Sequence, residues 1–338
     1  MWSIIAVDEQ RDLVFVPTGN TNPDYFGGHR KGGLDHYSSS VVALHGRTGE
    51  VAWHFQMVHH DLWDYDTPAQ PTLMDLTVDG ATIPVVVQGT KMGLTFVLHR
   101  ETGEPVWPVE ERPVAQNPVE GEYLSPTQPF PTHTPPSLGG SLLYPSNGGG
   151  NNWGSPAIHL GEQLMIVLTW RIPASTKLIA RERCGDVLQP QLGTPYCVEN
   201  GIVVSPLGVP CLAPPWATLD AIDLAAGKLR WSIPLGTSRN LAPFPFWWIE
   251  GVPGVGGPIV TKTGVIFIGA GLEYASRAHD LATGEELWKV ALPTAANSVP
   301  MTYQVRPAGR QYVVVAAGGH WGGGLPPGDH LIAFALPE

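Results

Sequence analysis

Short apolar runs, each about the length of a β-strand, recur along the chain and are separated by Gly, Pro, Asn and Asp. The first group is SIIAV (3–7), LVFVP (13–17), SSVVALH (39–45) and VAWHF (51–55). The second is QPTLMDL (70–76), PVVVQGT (84–90), LTFVLHR (94–100) and a strand at Trp107. The third is SPAIHL (155–160), QLMIVLT (163–169), a long insertion, then TLDAIDL (218–224) and KLRWSI (228–233). The fourth is GGPIVTK (256–262), GVIFIGA (264–270), SRAHDL (276–281) and EELWKV (285–290). A fifth group has three runs, PMTYQV (300–305), QYVVVAAG (311–318) and LIAFAL (331–336).

The groups share an internal repeat. ALHGRTGEVAW (43–53), VLHRETGEPVW (97–107), AIDLAAGKLRW (221–231) and AHDLATGEELW (278–288) follow one pattern: a strand, a tight turn whose Gly can take positive φ, and a strand carrying Trp. Trp53, Trp107, Trp231 and Trp288 are expected to dock between neighbouring units. Repeated four-stranded antiparallel units predict an all-β chain, a β-propeller with blades at about 1–58, 64–110, 150–236, 253–293 and 295–338. Two stretches rich in Pro and Gly, 108–150 and 170–216, are expected to be long loops.

Composition supports a turn-rich folded chain rather than a disordered one. Of 338 residues, 40 are Gly and 34 Pro, yet 43% are hydrophobic and only 14% charged. The net charge of −11 argues against nucleic acid and anionic lipid as partners. No apolar run is long enough for a membrane-spanning helix, and Met1 leads into a strand-like WSIIAV rather than a signal peptide. Cys184, Cys197 and Cys211 allow one bridge and one free thiol, with the pairing open.

The repeat also indicates where a site would lie. In an up-and-down blade, the start of the first strand and the end of the second share a face. Trp2, Asp64 and Asn147 precede first strands, and Asn20, Lys91 and His320 follow second strands. All six are therefore expected around the axis on one face. Asp64 lies in HHDLWDYDTPAQP (59–71), crowded with aromatics and prolines; a carboxylate in such a partly apolar setting can act as a general base. Lys91 offers a cation between glycines, and Asn20 offers a hard amide oxygen suited to Ca²⁺ or Mg²⁺. A Trp by the axis can stack on a flat cofactor. Together these suit oxidation of an alcohol by a quinone. Asp61 and Asp66 read as supports. His59 and His60 lack a third His or Cys at zinc spacing. Trp247 and Trp248 read as packing or loop cover, and His320 as either a ligand contact or a turn residue.

With these residues in view, the sequence resembles the C-terminal portion of the pyrroloquinoline quinone (PQQ) dependent dehydrogenases, in their membrane-bound glucose, quinate, shikimate and polyol group. The likeness runs through VPTGNTNPDYFGG, HHDLWDYDTPAQP, GTKMGLTFVLHRETGEPVWP, PTHTPPSLGG, GGPIVTKTGVIFIGA and the YVVVAAGGH segment. It implies an eight-bladed propeller with PQQ and Ca²⁺ or Mg²⁺ on its axis. It implies Asp64 as base, Lys91 at a quinone oxygen, Trp2 stacked beneath PQQ, Asn147 near the quinone, Asn20 at the metal and His320 by the substrate opening. It further implies a small sugar, polyol or cyclic hydroxy acid as substrate, ubiquinone as electron acceptor, and a periplasmic propeller at the inner membrane.

The sequence departs from the family pattern at the start, which aligns with about the fourth blade. The earlier blades, the membrane anchor, an acidic metal ligand and further PQQ contacts would lie outside it. Asn22 stands where some relatives carry Thr, and the stretch after PTQPFP is shorter. About four and three-quarter blades are expected to form an open arc with low activity in isolation. The alternative reading is a non-catalytic propeller serving as a protein-binding scaffold, which has no need of Asp64, Lys91 and Asn20 on one face. A glycosidase would need a second carboxylate about 5–10 Å from Asp64.

Overall fold

The computed structural model describes residues 3–132, 145–186, 188–206, 208–269, 271–320 and 325–336, so Trp2 lies outside the described residues. The chain forms two compact units. The first is Met1–Asn152, Arg171–Leu212 and Ala225–Gly227; the second is Trp153–Trp170, Ala213–Leu224 and Lys228–Glu338.

In the first unit, β1 (Ala6–Asp8), β2 (Leu13–Pro17), β3 (Ser40–His45) and β4 (Val51–Gln56) form an antiparallel sheet in sequence order. A second sheet contains β5 (Thr72–Val78), β6 (Ala81–Gly89) and β7 (Thr95–His99). Its inner positions, Val86, Phe96 and Leu98, pack with Phe15, Val41 and Trp53 of the first sheet in one core cluster. The strand expected at Trp107 is not formed; a single bridge, Leu98 to Pro105, stands in its place. Pro105 and Pro108 flank that segment and bring no N–H to a ladder.

The expected loop 108–150 instead contains a hairpin, β8 (Val109–Pro113) with β9 (Thr127–Pro131). The insertion 170–216 holds another, β12 (Ala174–Ala180) with β13 (Tyr196–Ile202), which the Cys184–Cys197 disulfide staples. Cys211 is free and exposed.

Among the described residues the second unit has three sheets. The first is β10 (Ala157–His159), β11 (Leu164–Trp170), β14 (Ala217–Asp223) and β15 (Lys228–Pro234). The next is β16 (Ile259–Val260), β17 (Val265–Ile268), β18 (Ala275–Asp280) and β19 (Glu286–Ala291). The last has three strands, β20 (Met301–Gln304), β21 (Gln311–Ala317) and β22 (His330–Ala335). Leu164, Ile166, Leu219, Ile266 and Ile268 alternate inward along these strands and make the core.

The repeated Trp is a latch. Trp53 Nε1 donates to Arg100 O at 3.0 Å, and the Trp53 ring lies over Gly103 of the next repeat. Trp231 repeats the contact, donating to Leu281 O at 2.9 Å over Gly284. A Cβ at Gly103 would sit 2.6 Å from the Trp53 ring, at a φ of +75°. Gly103→Ala is therefore expected to destabilise the first unit by about 2–4 kcal/mol, from overpacking plus the left-handed backbone. A urea titration that gives an unchanged midpoint would remove the latch from the account of stability.

Candidate active site

The connection from β4 to β5 carries HHDLWDYDTPAQP. Asp61 is its anchor. Fully buried, it accepts from Trp63 N and Tyr65 N at 2.9 Å each and from Ser39 Oγ at 2.7 Å. Burial pushes its carboxyl up to about 6 against the pull of these donors. With both ends of the turn gathered on Asp61, the intervening residue is forced round a tight corner. Asp64 takes that corner at φ 57°, in the left-handed region that Asp tolerates better than most side chains.

Lys91, just past β6, fixes this corner from below. Its ammonium donates to Asp64 O at 2.7 Å and to Asp64 Oδ1 at 3.2 Å, and pairs with Asp66 Oδ1. Three N–H bonds therefore meet three oxygens. Burial alone would lower the Lys91 pKa, but Asp64 and Asp66 outweigh it and hold the ammonium above its ordinary range. The backbone of Gly149 and Gly150 packs on Lys91, with Gly150 N donating to Lys91 O at 2.6 Å. That places Asn147 beside Asp64, with Nδ2 3.5 Å from Oδ2.

Burial, partly offset by Lys91 and reinforced by Asp66 and Asp24, pushes the Asp64 carboxyl up to about 7. A base is most useful when its pKa lies near the working pH. Asp24 is raised as well, by burial and then by Asp66.

A second cluster braces the loop. His60 Nδ1 meets Asp35 Oδ2 at 2.6 Å and Nε2 meets Glu122 Oε1 at 3.1 Å, with the Tyr123 ring stacked 3.8 Å away. Burial would lower the His60 pKa, but the two carboxylates reverse the shift and raise it. Glu122 comes from the connection between β8 and β9, so this hairpin is tied to the loop. A cavity of about 660 Å³ opens alongside, lined by Tyr25, Leu62, Trp63, Tyr65, Met92 and Phe130 among others. It is of small-molecule size and largely apolar.

Three of the six expected residues, Asp64, Lys91 and Asn147, thus meet in the first unit. Asn20 lies one link away: its Nδ2 donates to Asp24 O at 3.1 Å, while its Oδ1 is buried without a hydrogen-bond partner. Such an orphaned amide oxygen fits a hard divalent cation. Among the described residues no three His, Cys, Asp or Glu side chains form a ready cage. Lys91 and Asn147 are both N–H donors, a chemistry that suits an anionic, carbonyl-bearing ring, though their N–H groups here are engaged by Asp64, Asp66 and Tyr25. His320 belongs to the second unit, its ring 6.3 Å from that of Trp153.

Sequence reasoning missed Tyr25 and Asn200, whose side chains meet at the Asp64 corner. Tyr25 follows the second strand of its sheet, as Asn20 does, and the same topological rule extended by a few residues reaches it. Asn200 sits in the β12–β13 hairpin, where no sequence signal marked it.

Comparison with known proteins identifies the family. A family model described as the PQQ glucose/ethanol/alcohol dehydrogenase β-propeller domain matches residues 1–136 and 131–313. The quinoprotein glucose dehydrogenase of Escherichia coli (strain K12) is 38% identical over the whole chain, which covers 49% of that protein. The quinate/shikimate dehydrogenase (quinone) of Acinetobacter baylyi is 34% identical, again over the whole chain and 49% of the relative. The chain spans about half the length of the curated relatives it matches. The crystal structure of quinohemoprotein alcohol dehydrogenase from Comamonas testosteroni superposes with a TM-score of 0.68 at 25% identity, over 94% of this chain and 44% of that one. The four-stranded sheets are thus blades of a propeller, and with the model matching nearly end to end, the chain belongs to the PQQ-dependent glucose/ethanol/alcohol dehydrogenase β-propeller family.

Proposed function

We propose that this chain forms part of a quinoprotein dehydrogenase that oxidises a hydroxyl group of a sugar, polyol or cyclic hydroxy acid. The observation that carries the reading is Asp64, a carboxylate raised to about 7 and held by a buried lysine beside a cavity of molecular size. PQQ, when bound, supplies the acceptor for the carbon-bound hydride. Lys91 holds Asp64 Oδ1 closely, so Oδ2, whose neighbours Tyr25 and Asn147 stand 3.5 Å away, would be the oxygen that takes the hydroxyl proton. Lys91 and Asn147 would hold the quinone edge in exchange for part of their bonds to Asp64, Asp66 and Tyr25, and Trp2 would stack on its face. Asn20 would contribute to a Ca²⁺ or Mg²⁺ site, where the cation supplies charge to stabilise an oxyanion. His320 is assigned to the substrate opening. The relatives named for glucose and for quinate or shikimate support the substrate class. Ubiquinone as acceptor and a periplasmic position at the inner membrane belong to the same reading.

The test is binding and turnover on one preparation. PQQ fluorescence titration of the chain with Ca²⁺ or Mg²⁺ is expected to saturate. Dye reduction with glucose, quinate or glycerol is expected to be slow but PQQ-dependent. Failure of both binding and turnover overturns the proposal.

A further inference from the structure

The Tyr25 hydroxyl has a hydrogen-bond inventory that leaves little freedom. A phenol oxygen has one proton to give and two lone pairs to share. Asn147 Nδ2 donates to it at 3.1 Å and Asn200 Nδ2 donates at 3.0 Å. Both acceptor positions are therefore taken. The remaining neighbour is Asp64 Oδ2 at 3.5 Å, where the hydroxyl is the donor.

We infer that Tyr25 is a positioning residue for Asp64, its proton directed to Oδ2 by the two amides. This rests on the functional reading above for its consequence in catalysis, though not for its geometry. The carboxylate is then held at both oxygens, by Lys91 at Oδ1 and by Tyr25 together with Asn147 Nδ2 at Oδ2. The 3.5 Å separation is long, as hydrogen bonds to catalytic groups often are before substrate arrives.

Tyr25 is itself gripped at two points by the stapled hairpin. Gln191 Oε1 accepts from Tyr25 N at 3.1 Å, and Asn200 of β13 caps its hydroxyl. Gln191 lies inside the segment closed by Cys184 and Cys197, and Asn200 lies three residues past that bridge. The insertion thereby fixes the base without touching it, which makes 170–216 part of the site.

The direction of the effect follows from which protonation state is favoured. A donor aimed at Oδ2 favours the ionised carboxylate, as Lys91 does, while Asp66 and Asp24 disfavour it. Removing the donor raises the apparent pKa of Asp64. In Tyr25→Phe the acid limb of the kcat/KM profile is expected to move up by about 0.5–1 pH unit, with kcat/KM at pH 8 down by up to roughly twofold from the lost ionised fraction. Asn200→Leu keeps the ring and removes only one of the two amides, so it should move the limb in the same direction by less. It also serves if the Phe variant fails to fold.

Carbon-13 NMR titration of the Asp64 carboxyl in the PQQ-free chain gives a reading independent of turnover. An upward shift in either variant supports the inference. Titrations and pH limbs unchanged in the folded variants overturn it and leave Tyr25 as packing. A wild-type chain that neither binds PQQ nor turns over defeats the functional reading alone, because the NMR titration still decides the role of Tyr25.

Discussion

Asp64→Asn is expected to lower PQQ-dependent dye reduction by about 10²–10⁴-fold, the range associated with losing a general base. The same variant should fold as well as the wild type, or better above neutral pH. The folded state raises the Asp64 pKa from 3.8 to about 7, so the ionised side chain is disfavoured on folding. A carboxyl with a raised native pKa takes stability away as pH climbs from its unfolded value through its folded one. Asn keeps the shape and removes that dependence. A comparison of melting temperatures at pH 5 and pH 8 checks the second half of the expectation. Activity within tenfold of wild type would show that another group takes the proton.

Lys91→Met should have the opposite balance. Lys91 and Asp66 are both buried, with side chains 5% and 7% exposed. Removing the cation leaves Asp66 and Asp64 facing each other with no counter-charge. Breaking a buried pair in this way costs about 3–5 kcal/mol. The penalty should be largest at pH 8, where the carboxylates must ionise, and smaller at pH 5, where they can take protons instead. Urea unfolding at the two pH values measures it. Equal destabilisation at both would mean that Lys91 contributes packing rather than charge.

The fold was legible wherever alternation and the Thr-Gly turn acted together. GVIFIGA alternates in burial, SRAHDL and EELWKV are joined by the Thr283–Gly284 turn with Gly284 at φ 78°, and all three lie in the expected sheet. Asp64, Lys91 and Asn147 could be grouped in advance because blade connectivity alone brings their chain segments to one end. The hairpin β8–β9 was not legible. VEERP has four exposed residues of five, so it pairs through its backbone and shows no apolar period. Trp107 misled for the reverse reason: the side-chain motif is complete, but its flanking prolines cannot supply the ladder. Tyr25 and Asn200 are 175 residues apart, and only the folded hairpin brings their side chains together. The Cys184–Cys197 pairing was equally hidden, since three cysteines in one stretch permit more than one bridge.

The Trp-on-glycine latch bears on how such a chain can change over time. Each latch uses one indole, one backbone carbonyl and one glycine seat, all from adjacent repeats. The stabilising terms are therefore local between neighbours, as in other repeat architectures. Lengthening any connection away from the latch leaves those terms intact. The two stapled or paired hairpins that the chain inserts outside its repeats are of this kind, and one of them reaches Tyr25 beside Asp64. A modular scaffold of this sort can acquire new walls around an old pocket without renegotiating the seams that hold it.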